Sequence, residues 1–344
     1  MTGSPFDDAV DDELFDVDAV AAGAWAPGPY GTGDTLGTYN EVTPEVRAAA
    51  LSLLDLTRPV HTFSLGETLF NGFPAFGDRT YTQTLVVGGY DPGEGFGGQL
   101  GRVKPRGKSR MSHHEERVSF SYNLGSKVNG LLHCGADGTY FDGLRGPEIA
   151  RDHGTAVLDT TTWGPPLCTR GIVFDVVGLL AERGDHGALE DAGGRPVLLG
   201  DRRVSIDDLE ACAERQGLPA RRPGDAVFLH TGWNRMIGHD PQRYLAASPG
   251  PHLRELRWLA RDRPALVGVD SWMLGSMDPA IHGGTVSAGH QLLLMRYGIR
   301  TAEGIKLAEL VDAGVDVFVC LHSPLRAVGA TASNAPMMAL ANLD

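Results

Sequence analysis

The sequence predicts an α/β fold, in which strands alternate with helices. Two observations carry the α/β class: short apolar, β-branched runs bounded by glycine and proline, and amphipathic segments with helix caps lying between them. A third is consistent with a folded protein. The 344 residues are 42% hydrophobic and 21% charged, and 46 glycines and 21 prolines imply many turns. Length alone permits one elaborated domain or two.

Taken in order, residues 1–32 read as an acidic arm. Asp7, Asp8, Asp11, Asp12, Glu13, Asp16 and Asp18 precede a Gly- and Pro-rich stretch running to Gly33, and such a composition holds little structure of its own. The arm is either a solvated tail or, through Leu14, Phe15 and Val17, an amphipathic turn that docks on a neighbouring subunit. Thr43 then caps a helix with Pro44 at its first position and Val46, Ala49, Ala50 and Leu53 at helical spacing. Residues 172–177 and 226–230 are buried-strand runs. Between them Ser205 caps a helix with Ile206, Leu209 and Ala213 on one face, ended by Gly217. Residues 266–270 and 315–320 add two strands, and 290–295 opens a helix. No internal repeat is visible.

The net charge of −13 argues against nucleic-acid binding, which needs clustered Lys and Arg. Cys134, Cys168, Cys212 and Cys320 are far apart, so neither a zinc knuckle nor a disulfide framework is signalled. No apolar run approaches the roughly 20 residues that span a bilayer, and the start lacks the layout of a signal peptide. The expectation is a cytoplasmic protein with no membrane partner. Residues 89–98 are glycine-rich without the strand-turn-helix order of a phosphate loop; with Arg102 to Arg110 they read as a flexible loop or a lid. No Gly-x-Ser-x-Gly elbow occurs.

The most informative stretch is 123–133, Asn-Leu-Gly-Ser-Lys-Val-Asn-Gly-Leu-Leu-His. It resembles the signature His-x-Gly-Thr-His-x-Asp-x-x-x-His of the cyclase-like superfamily, which includes kynurenine formamidase and isatin hydrolase. The first His falls on Asn123, the second on Lys127, the Asp on Asn129 and the last His on His133. Further blocks match in collinear order, among them 170–175, 223–233, 268–270, His290 with Glu303, and 323–333. The resemblance covers roughly 33–340 and implies a mixed central β-sheet flanked by helices, the cyclase-like swivelling β/β/α fold, as a single domain over 33–344.

The resemblance also implies metal-assisted hydrolysis, yet three of the four motif groups are replaced. A protonated lysine has no lone pair to offer an ion. Lys127 is one of only four lysines, with Lys104, Lys108 and Lys306. What the resemblance retains is His133, His290 and Glu303, which suit proton chemistry. Lys127 is expected as a cation standing in for the metal, stabilising a developing oxyanion, or as drift after metal loss. Asn123 and Asn129 are expected as substrate-binding amide donors to the same oxygen.

The sequence reading is a metal-independent cyclase-like enzyme performing hydrolysis or dehydrative cyclisation on a carbonyl-containing small molecule, in specialised metabolism. Two alternatives stay open. One is a metal-dependent amide or lactone hydrolase with one Zn or Mn on His133, His290 and Glu303, with His113, His114 and His282 as further candidate ligands. The other is a catalytically silent small-molecule binding protein. The resemblance further implies a homodimer or homotetramer. Asp137, Asp142 and Trp233 are read as turn and core residues.

Overall fold

The computed structural model describes residues 4–11, 13–88 and 106–343. Among these, nine strands form the central sheet: β1 (His61–Ser64), β2 (Lys127–Asn129), β3 (Leu167–Asp175), β4 (Ala226–His230), β5 (Leu266–Val269), β6 (Arg300–Glu303), β7 (Val317–His322), β8 (Ala332–Ser333) and β9 (Met338–Ala341). Their spatial order is β1-β9-β7-β3-β4-β5-β6-β2-β8. The block β3-β4-β5-β6 is parallel and every other pairing is antiparallel. The sheet is therefore mixed and the class is α/β. The glycine-rich 89–98 segment and Arg102 fall outside the described residues.

The central strands are covered on both faces, which is why they read as continuous apolar runs. Ile172, Phe174, Val227, Leu229, Val267 and Val269 meet the helices Val176–Arg183, Ile206–Gln216 and Leu253–Ala260 on one side. Val173, Phe228, Leu266, Ala302 and Phe318 form the second core on the other side, with Tyr39, Trp163 and Leu310. Period-two alternation thus divides each strand between two cores.

Local chemistry sets the element ends. Thr43 accepts from the Val46 amide at the start of the helix Pro44–Leu51. Ser205 and Asp208 form a reciprocal capping box on Ile206–Gln216, which Gly217 ends in the left-handed conformation. One expectation needs correction: the run 172–177 is not a single strand. The Asp175 carboxylate accepts from the Gly178 amide and caps a helix beginning at Val176, so the run splits there. The helix over 290–295 is also modified: Ala288–Gln291 is α-helical and continues as a π-helical turn, Leu292–Arg296.

The acidic segment is anchored to its own chain. Asp8 accepts from Arg296 at 2.9 and 3.0 Å and from the Tyr297 hydroxyl at 3.1 Å, and Phe6 stacks on Tyr297 at 5.7 Å. Phe15 packs edge-on against Trp25, while the Leu14 and Val17 side chains face solvent. The Asp142 carboxylate accepts from the Gly28 and Gly33 amides, tying the end of the segment down. Trp233 is a fully buried core residue, donating to the Tyr244 carbonyl.

Candidate active site

β2 and β6 are antiparallel neighbours, with Lys127 directly opposite Glu303, Val128 opposite Ala302 and Asn129 opposite Thr301. Because side chains alternate across a strand, Val128 and Ala302 enter the apolar core while Lys127, Asn129, Thr301 and Glu303 share the other face. The register depends on close backbone approach. Gly304 follows Glu303 at φ +63°, and a Cβ there would lie 2.5 Å from the Gly125 carbonyl oxygen. Gly304→Ala is therefore expected to cost roughly 1–3 kcal/mol, from overpacking and left-handed strain together. A thermal midpoint matching the parent protein would refute this account of the register.

Lys127 Nζ lies 3.3 Å from Glu303 Oε2 and donates to the Trp272 carbonyl oxygen at 2.8 Å. His290, on the helix Ala288–Gln291, meets Glu303 Oε1 through Nε2 at 2.8 Å. The carboxylate is thus held by an ammonium on one oxygen and an imidazole on the other. Burial alone would raise Glu303, but the Lys127 charge and the His290 contact outweigh it and hold the carboxyl well below the usual range. Burial lowers Lys127, and the Glu303 charge opposes that shift.

The amides propagate this order. An ionised carboxylate only accepts, so the Asn129 NH₂ faces Glu303 Oε2 at 3.0 Å and also donates to Thr301 Oγ1. Asn129 Oδ1 then faces Asn123, whose NH₂ donates to it at 3.0 Å and lies 2.8 Å from His133 Nε2. That nitrogen must accept, which places the His133 proton on Nδ1. The charge of Glu303 thereby fixes two amide orientations and one histidine tautomer in sequence.

The structure brings together all six residues singled out in the sequence. Five of them, Asn123, Lys127, His133, His290 and Glu303, line a cleft of about 210 Å³. The exception is Asn129, expected to donate to substrate. It is 0% exposed and its amide hydrogens go to Thr301 and Glu303, so it orients the carboxylate instead. His113 and His114 stand exposed on the outer strand His113–Phe120, His282 contacts the Met277 carbonyl, and none of the three lines the cleft.

The residual donors do not suit a metal ion. Both Glu303 oxygens are engaged, His133 Nε2 is occupied by Asn123, and an ammonium stands in the donor set. Among the described residues no group of three or more His, Cys, Asp or Glu is placed to hold one. Cys134 also borders the cleft; burial, reinforced by the Glu303 charge, pushes its thiol up to about 12, so it is no thiolate at neutral pH.

Sequence reasoning missed the cleft walls. Phe76, Arg79, Trp272, Met273 and Met277 come from loops distant in the chain and share no local motif. The Phe76 and Trp272 rings stack at 5.1 Å with an 18° interplanar angle.

Two buried histidines make stability depend on pH. Burial, with the neighbouring His290 second, lowers His133 to about 4. Burial lowers His322 to about 4, against the opposing backbone contact of Ala335 and with the Arg300 charge reinforcing the shift. Both protonate less readily folded than unfolded, so the unfolded chain binds more protons between about pH 6.5 and 4. Stability present above that window is lost as pH falls through it. The urea midpoint is expected to drop between pH 7 and 4.5, and less steeply in His322→Phe; a flat midpoint would contradict the assignment.

The comparisons with known proteins agree with this architecture. The model of the family described as "Putative cyclase" matches residues 54–276. The crystal structure of a novel cyclase superposes with a TM-score of 0.73 at 22% identity, over 91% of this chain and 98% of that one. Isatin hydrolase A from Ralstonia solanacearum gives 0.55 at 18% identity, over 82% and 92%. An isatin hydrolase bound to the product analogue thioisatinate gives 0.55 at 15%, over 87% and 99%. No curated protein sequence matches. With the family model covering well over half of its length, and the fold of a solved cyclase, this chain belongs to the cyclase family.

Proposed function

We propose that the chain is a metal-independent hydrolase or cyclase acting on a carbonyl-containing small molecule, with His290 as the acid/base group. The observation that carries this reading is the His290–Glu303 contact of 2.8 Å. It spends Nε2 on the carboxylate and leaves Nδ1, which has no hydrogen-bond partner among the described residues, as the imidazole lone pair at the cleft wall. Glu303 orients the ring and stabilises the imidazolium that forms when Nδ1 accepts a proton. In hydrolysis that proton comes from water, whose oxygen adds to the substrate carbonyl; in ring closure it comes from a nucleophile within the substrate. The same proton returns to the departing group.

Lys127 supports the same step. Of its three N–H donors one goes to the Trp272 carbonyl and one toward Glu303, which leaves the third for an oxyanion. A fixed cation in a poorly solvated cleft stabilises such charge more strongly than water does. Asn123 fixes His133, which we assign to positioning the carbonyl through Nδ1–H. We take the partner to be a single small molecule, a size the cleft of about 210 Å³ accommodates, and its setting to be specialised metabolism.

The test uses the protein purified without chelator or affinity tag, assayed against aryl esters, lactones and anilides with and without EDTA. Turnover unaffected by EDTA, with well under one zinc or manganese per chain by elemental analysis, is the expected result. Stoichiometric metal whose removal abolishes turnover would establish the metal-dependent reading. Ligand binding without turnover on any substrate would favour a silent binding protein.

A further inference from the structure

We propose that the cleft selects planar aromatic monoanions, and that Arg79 recognises their anionic group. The inference rests on the cleft being the substrate site and names the substrate class it takes. Of the two cations that line it among the described residues, Lys127 is paired with Glu303. Among the described residues Arg79 has no carboxylate within ion-pair distance; its NH1 donates to the Phe76 carbonyl oxygen at 3.2 Å, and its guanidinium lies 5.9 Å from the centre of the Phe76 ring. A guanidinium carries five donors, so the planar fork retains the pair needed to grip a carboxylate through both oxygens.

The charge is placed to act on a ligand. Arg79 is half-buried, and its field reaches Lys127, His133 and Cys134, all on the cleft wall, lowering the basicity of each. A cation without a carboxylate partner among the described residues, bordering an apolar, partly desolvated cleft, attracts an anion more strongly than the same group in water.

The remaining wall supplies the planar requirement. Phe76 is 51% exposed, an unusual position for a large apolar ring, and it stacks parallel to Trp272. Trp272 is held by its indole N–H, which donates to the Ala247 carbonyl at 2.9 Å. Phe73 and the flexible side chains of Met273 and Met277 complete an apolar surface that adapts to a flat ring. A volume of about 210 Å³ limits the occupant to one or two rings. A ligand lying along this wall presents its anionic end to Arg79 and its second carbonyl to Lys127 and His290.

The experiment is calorimetric titration of the full chain with naphthoate and with naphthamide, its neutral counterpart of equal shape. Loss of a hydrogen bond to a charged group predicts that naphthoate binds about tenfold tighter or more. Arg79→Gln is expected to bring the two to parity by weakening naphthoate alone, while Arg79→Lys, which keeps the charge, retains part of the preference. Equal binding of both probes to the parent protein, a preference that survives in Arg79→Gln, or failure of either probe to bind would each overturn the proposal. No turnover enters this measurement, so its failure is distinguishable from failure of the acid/base reading, which the ester and lactone assays test.

Discussion

His290→Gln is expected to lower kcat by about 10²- to 10⁴-fold, the usual worth of a positioned acid/base group. Glutamine is the informative replacement because the imidazole holds Glu303 through Nε2 at 2.8 Å, and a glutamine amide can keep that donor in place. It has no counterpart of the Nδ1 lone pair. Fold, Glu303 and the Lys127 pairing are therefore preserved while proton transfer is lost. KM should change little, since the variant removes an interaction made chiefly in the transition state. The measurement is steady-state kinetics on the best substrate from the ester and lactone panel, with the thermal midpoint as a control. Retention of more than about a tenth of the parent kcat in a folded variant would remove His290 from the acid/base role.

Lys127→Met is expected to damage both stability and turnover, and the two effects are separable. Lys127 and Glu303 are buried together, with side-chain exposures of 6% and 3%. Removing one partner strands the other charge, and breaking such a pair costs about 3–5 kcal/mol. The stranded Glu303 then takes up a proton more readily. Its strong depression in the parent protein contributes stability above the unfolded carboxyl range that is lost as pH falls, and the variant should show less of that dependence. Lys127→Met combined with Glu303→Leu should recover much of the unfolding free energy, because a buried ion pair replaced by apolar groups is often neutral. Turnover should not recover. Loss of a preorganised oxyanion donor is worth about 10²–10³ in kcat. Urea unfolding of the parent, single and double variants reads the first effect, and kcat the second. A Lys127→Met protein as stable and active as the parent would make the lysine incidental.

Much of the site was legible because two short segments carry it. The spacing of Asn123, Lys127, Asn129 and His133 over one loop and one strand survives as a pattern even where the side chains have changed, and the His290–Glu303 interval marks the second segment. Asn129 shows the limit of that reading. Sequence position assigns it to the site but not to a direction, and only the register opposite Thr301 shows that it serves the carboxylate. Arg79 and Trp272 carried no signal, since neither belongs to a motif and each reaches the cleft from a separate loop.

The sequence by itself determined the α/β class, the strand at Ala226–His230, and the caps at Thr43, Ser205 and Gly217. These rest on short-range physics: side-chain alternation, caps that satisfy free amides within a turn, and glycine at positive φ. The tertiary structure alone decided the rest. It split residues 172–177 at Asp175, laid Asp8 against Arg296, and joined Lys127 to Glu303 across antiparallel strands. Each outcome depends on contacts between residues distant in sequence. Burial gives those contacts their strength, and whether a charge is buried beside a partner or exposed to water is a property of the packed chain.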